Sequence, residues 1–140
     1  MVFSGCSSFS NRSRSGQNST DEKKFYTRSN GDIRRVHLFI NRQELAEALK
    51  KTQATQNIRL IELFGTSITT PQYRVMDFDR NSVYAILGIR KGDILLAANN
   101  FIIPNASIFP EFVKLLPQER NASINLIRGG SEHLFVYEID

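Results

Sequence analysis

The chain has no tryptophan, one cysteine, two histidines and four prolines in 140 residues. Each scarcity removes a class of answer. A lone cysteine, Cys6, rules out an internal disulfide, so a packed core must hold the fold together. His37 and His133 stand far apart in sequence, and with Cys6 near the N-terminus they do not assemble the ligand set of a transition-metal site. Neither histidine is set beside an exposed, strained serine as a hydrolytic triad requires. Asp77, Asp79 and Asp93 lack the loop spacing of an EF-hand. Gly88 and Gly92 are not followed by Lys-Ser or Lys-Thr and do not read as a phosphate cradle. The expectation is a non-enzyme with no metal and no cofactor. No apolar run reaches the roughly 20 residues of a membrane-spanning helix.

What is present is an ordinary globular balance, 41% hydrophobic and 23% charged residues, with enough length for one core. The net charge of +4 hints at nucleic acid until it is located. Up to Arg35 there are seven Lys or Arg against three Asp or Glu, which leaves eleven of each beyond it. The basic excess is therefore N-terminal, and no phosphate-binding domain face is expected; nucleic acid is excluded as a partner. The opening stretch, MVFSGCSSFSNRSRSGQNSTDEKK, is rich in Ser, Asn, Arg and Gly and almost free of apolar residues after Phe9. Residues 1–31 are expected to be a disordered polar tether, dispensable for folding. Within it, VFSGCSS resembles the lipobox of bacterial lipoproteins, which makes Cys6 a candidate lipidation site. Such a signal also needs an apolar leader of about 7–15 residues, and only Met1, Val2 and Phe3 precede the box. Two readings stand: the leader lies upstream of Met1, or Cys6 is an ordinary thiol. Lipid at Cys6 would tie the domain to a membrane through the tether.

Residues 32–56 read as a lead-in strand and helix. Ile33, Val36, Leu38 and Ile40 mark an extended segment, and Asn41 with Glu44 is a capping-box-like start for a helix whose apolar stripe is Leu45, Ala48 and Leu49. Next come a strand over 57–64, with its alternation shifting between Leu60 and Ile61, a polar loop over 65–72, and a strand over 73–78. Ser82 is placed to cap a short helix that Gly88 stops at positive φ. Gly92 allows a second tight turn, where Asp93 bonds backbone donors. A strand over 94–98 turns at Asn99-Asn100 into Phe101–Ile103. Ser107 is expected to cap a helix running to Leu116, with Pro110 tolerated in its first turn. ASINLIR and EHLFVYEI form a hairpin across Gly129-Gly130.

YRVMDFDRNSVYAILGIRKGDILLAANNFII resembles a bacterial PDZ domain, on Ser82, Leu87, Gly88, Ile89, Gly92, Asp93, Ile94 and Asn99. Arg128 and Gly129 match the usual Arg-x-Gly turn of the closing hairpin. The usual Asn-Gly turn reads Asn99-Asn100 here. The helix NRQELAEALKK upstream, with SVYAILGIRKGD, is similar to the PDZ domain of the C component of the type II secretion system. The other comparison is the PDZ domain of periplasmic heat-shock proteases, here without a protease domain.

The resemblance implies an α+β fold: a PDZ-like small β barrel or sandwich of five to six strands with two to three helices, over 57–140. It implies a non-catalytic periplasmic module that binds an extended peptide or an envelope or secretion protein as an added strand. The residues implied are Ile68, Thr69 and Thr70 of the loop, Tyr73, Arg74, Val75 and Met76 of an edge strand over 73–78, and Ile108, Phe109, Phe112 and Leu116 of the flanking helix. The alternative is a structural adaptor with a closed groove.

Overall fold

The computed structural model describes residues 24–27, 31–51, 53–66 and 68–140; Cys6 lies outside them. The elements in chain order are β1 (Ile33–Ile40), α1 (Arg42–Leu49), β2 (Ile58–Glu62), β3 (Tyr73–Phe78), α2 (Val83–Ile86), β4 (Ile94–Ala98), β5 (Phe101–Ile102), α3 (Ile108–Lys114), a 3-10 turn (Leu116–Gln118), β6 (Asn121–Arg128) and β7 (Ser131–Ile139). The fold is α+β. Seven strands make one sheet in the order β1-β7-β6-β4-β3-β2, with β5 paired to β4 off that path. Six of these strands lie within 57–140, as expected, and β1, which is not merely a lead-in, adds a seventh. It pairs in parallel with β7 along its whole length, from Ile33 opposite Glu132 to Ile40 opposite Ile139.

Local chemistry sets the element ends. The Asn41 side chain accepts from the Glu44 amide at 2.8 Å and starts α1. Arg42, the first residue of α1, donates to the carbonyls of Pro117 and, at 2.9 Å, Ile139, which fixes the helix to the far end of β7. Ser82 accepts from Tyr84 N at 3.3 Å and caps α2. Gly88 follows at φ +78, and a Cβ there would stand 3.4 Å from the Phe135 ring, so both conformation and space favour glycine. Ser107 makes no capping bond; the Asn105 side chain instead accepts from both the Ser107 amide and its hydroxyl.

The core lies on one face of the sheet, under the helices. Tyr84, Leu87, Phe109 and Val113 from the helical layer meet Tyr73, Leu95, Ile124, Leu126, Phe135 and Tyr137 from the strands, all almost fully buried. Each such side chain contributes roughly 1.5–3 kcal/mol of apolar burial. Leu45 and Ala48 of α1 belong to the same cluster, so the expected packing stripe of that helix is a packing stripe.

The opposite face carries a strap. Lys24 O accepts from Ile102 N and Tyr26 N donates to Asn100 O, both at 2.8 Å. Phe25 stacks on Phe101 with centroids 4.9 Å apart. Tyr26 Oη donates at 3.0 Å to Glu132, a buried carboxylate that also accepts from Asn125 Nδ2 at 3.2 Å. Lys24, Phe25 and Tyr26, within the stretch read as a tether, are thus tied to β5 and β7.

Two outcomes test these assignments. A chain shortened to begin at Gly31 should lose about 1–2 kcal/mol, the scale of a few hydrogen bonds and a buried acceptor deprived of a partner, relative to one beginning at Lys23; paired thermal melts would show it. Gly92, at φ +92 with open space where a Cβ would stand, should lose on the order of 1–2 kcal/mol in Gly92→Val from backbone strain alone. Lys91→Ala, which removes only an exposed pair with Asp77, should change urea-denaturation stability by less than about 1 kcal/mol.

Candidate functional site

Strand β2 ends the sheet. It pairs antiparallel with β3, from Ile58 opposite Phe78 to Glu62 opposite Tyr73, with a register shift between Arg59 and Leu60. Its other side has no strand partner among the described residues. The expected shift of alternation falls one residue later in sequence than this bulge, which is where the strand re-aims its side chains. Ile58 and Leu60 are half-buried and pack onto the core, while Ile61 on the other face is exposed.

Strand β3 is not an edge, contrary to the expectation for 73–78. β2 covers one side; on the other, Tyr73 pairs with Leu95 and Arg74 with Ile94. Val75 then continues the pairing through its amide to Asp93 O and its carbonyl from Gly92 N, both 2.8 Å. With both sides used, no backbone group along that half of the strand is free for a ligand. Tyr73 and Val75 are buried, so their side chains are core. The Tyr73 hydroxyl is buried without a hydrogen-bond partner among the described residues, and burial first, then the nearby Glu62 charge, raises its pKa. Arg74 and Met76 point to the opposite, exposed face.

The nominated helix residues divide as well. On α3, Phe109 and Val113 are buried, as is Leu116 just beyond it. Ile108 is 39% exposed and Leu115, which caps the helix, 54% exposed; half-buried Phe112 stands between them. Spacings of four and seven residues put these three on one helical face. An aromatic ladder runs beneath: Phe112 to Phe109 at 6.2 Å, Phe109 to Tyr84 at 5.9 Å, Tyr84 to Phe78 at 6.3 Å. Tyr84 Oη donates to Thr55 O, and burial raises the Tyr84 pKa.

That bond holds the segment entering β2 beside the helix. Gln53–Gln56, Leu49, Lys51 and Lys114 line a cleft of about 320 Å³. Lys51 and Lys114 make its rim basic, although Lys114 pairs with Glu111 at 2.9 Å. Ile68, Thr69 and Thr70 lie instead in the connection between β2 and β3, where Ile68 N donates to Gly65 O at 3.1 Å and the Ile68 side chain rests against Gly65. Ile58, Leu60, Leu115 and the 53–56 segment escaped the sequence reading. For Ile58 and Leu60 the only signal was apolar alternation, which tells strand from loop but not edge from interior. Among the described residues no cluster of three or more His, Cys, Asp or Glu stands ready to hold a metal, and no helix is long and apolar enough to cross a membrane.

An α+β sheet with an open terminal strand and a short helix beside the segment leading into it defines this molecule. The chain is similar to solved structures of the PDZ domain of EpsC from Vibrio cholerae. A shorter fragment is 18% identical over 60% of this chain and 95% of that one, with a TM-score of 0.40. A longer fragment is 17% identical over 69% and 97%, with a TM-score of 0.41. No family model and no curated protein matches the chain.

Phe109→Ala should cost about 3–5 kcal/mol, the range of buried aromatic truncations. Leu115→Gln should change stability by less than about 1 kcal/mol, because half its surface is already wet. Chemical denaturation of both variants separates the core face of α3 from its open face.

Proposed function

We propose that this domain is a PDZ-like binding module that takes an extended peptide as an added strand along β2, covered by Ile108, Phe112 and Leu115. One observation carries the reading. Among the described residues β2 has one backbone edge without a strand partner, while its half-buried Ile58 and Leu60 lie over the same core as Phe112. An incoming strand there gains main-chain hydrogen bonds and inserts alternate side chains toward the helix. Arg74 and Met76 lie on the outward face of β3 and do not belong to this groove. Ile68, Thr69 and Thr70 are the rim beyond the far end of β2, near Glu62.

The chemistry is recognition rather than catalysis. The module acts as a partner-binding piece of a bacterial envelope machine of the secretion type, on the strength of the sequence resemblance over 57–140. Cys6 would supply a lipid anchor if its apolar leader lies upstream of Met1, and the domain would then work in the periplasm on a polar tether.

A peptide selected from a displayed random library and titrated into the isotope-labelled full chain tests the reading. Amide shifts should run along 58–62 and through α3. Leu115→Gln and Ile108→Gln should each weaken binding several-fold, with melting temperature nearly unchanged. Shifts confined to the hairpin at Gly129-Gly130, with 58–62 silent, would refute the groove and leave a scaffold with a closed site.

A further inference from the structure

The sheet has a second open end, and its chemistry differs from the first. β1 runs eight residues without proline, glycine or register shift against β7. No other strand among the described residues takes its far side. Ile40 O accepts from Asp140 N, which lies on the β7 side. In a parallel pair a bonded residue turns both its amide and its carbonyl toward one neighbour, and the direction alternates along the strand. Arg34, Val36, Leu38 and Ile40 therefore spend their backbone groups on β7. Ile33, Arg35, His37 and Phe39 direct theirs away from β7, where no other described strand pairs with them.

The side chains give this edge a character. Val36 and Leu38 are only half-buried although they pack on the core, so the core is not closed laterally at β1. Phe39 is 78% exposed on the opposite face. Arg34 and Arg35 are exposed and form no ion pair among the described residues, and β1 contains no carboxylate. A second copy of this strand would bring four arginines to one shared edge. An acidic strand would instead meet complementary charge.

We propose that β1 is a second strand-addition site, for an extended segment of a partner protein in which two adjacent acidic residues adjoin alternating apolar ones. Residues directly opposite in a ladder share a face. The acidic pair sits opposite Arg34 and Arg35. Apolar residues sit opposite Val36 and Leu38, where they extend the core. The outward amides and carbonyls of Arg35 and His37 supply the main-chain bonds. The site is independent of the groove at β2, since four strands separate the two edges.

The probes are ten-residue peptides capped at both ends, in which Glu-Glu adjoins alternating Val and Thr, made in both chain directions. Control peptides carry Lys-Lys in place of Glu-Glu. Titration into the full-length Leu115→Gln variant weakens the contribution of the β2 groove, and the position of the amide shifts separates the two sites. Amide shifts centred on 33–39 are expected, with at least tenfold preference for one Glu-Glu peptide over its Lys-Lys control, weakening as salt rises. Arg34→Glu with Arg35→Glu should reverse the preference. His37→Pro removes an outward amide, a change edge strands tolerate, and should abolish binding while the protein stays folded. If that variant unfolds, the charge reversal still decides. Equal affinity for Glu-Glu and Lys-Lys peptides, or shifts at 58–62 alone, would overturn the proposal. So would sedimentation showing a dimer of the full chain that His37→Pro dissolves, because the occupant would then be a second copy.

Discussion

Arg128 and Asp93 hold the turn of the molecule to its closing hairpin. Asp93 is almost wholly buried, and its two carboxylate oxygens receive Arg128 Nε at 2.9 Å, an Arg128 terminal amine at 2.7 Å and the Arg90 amide at 2.8 Å. The same terminal amine donates to Gly88 O at 2.8 Å, and the guanidinium lies 5.0 Å over the Phe135 ring. The Arg128 pKa is raised, chiefly by the hydrogen bonds to Asp93. A buried pair such as this need not be a large net source of stability, but removing one member strands a charge and costs several kcal/mol. Its role here is register. It places Gly88 over Phe135 and fixes where β4 begins. Tyr137 Oη adds a 2.7 Å bond to Leu87 O from the next strand.

From that fixed turn both edges of the sheet follow. β4 starts immediately after Asp93 and must pair with β6 on one side and β3 on the other. β3 is thereby interior, and β2, its hairpin partner, becomes the end of the sheet. At the opposite end β7 would be an edge had β1 not covered it. β1 closes that side, and its own far side has no strand partner among the described residues. The free edges are consequences of strand order, with one bordered by apolar helix residues and the other by arginines.

Much of the local structure was legible in the residues. Asn41, Ser82, Gly88, Gly92, Asn99-Asn100 and Gly129-Gly130 each act through their own side chain or their own φ, so sequence alone places the helix starts and tight turns; Asn99 and Asn100 do adopt φ +50 and +68. The Asp93 turn was legible for the same reason. Ser107 misled because its hydroxyl donates to the Asn105 side chain, two residues earlier, and makes no capping bond. The site was less legible. Phe109, Phe112 and Leu116 are equally apolar, and only packing separates the buried pair from the half-open one.

The sequence by itself determined the α+β element order, the turn chemistry and a basic N-terminal quarter, since these depend on neighbours along the chain. Tertiary structure alone decided that 73–78 lies inside the sheet, that β2 and β1 are its end strands among the described residues, and that Lys24–Tyr26 is tied down over β5 and β7. Strand neighbours are chosen by contacts between residues far apart in sequence, such as Arg34 with His133 or Phe25 with Phe101. A period-two pattern states which side chains share a face of a strand. It carries no information about which edge of that strand another strand will occupy.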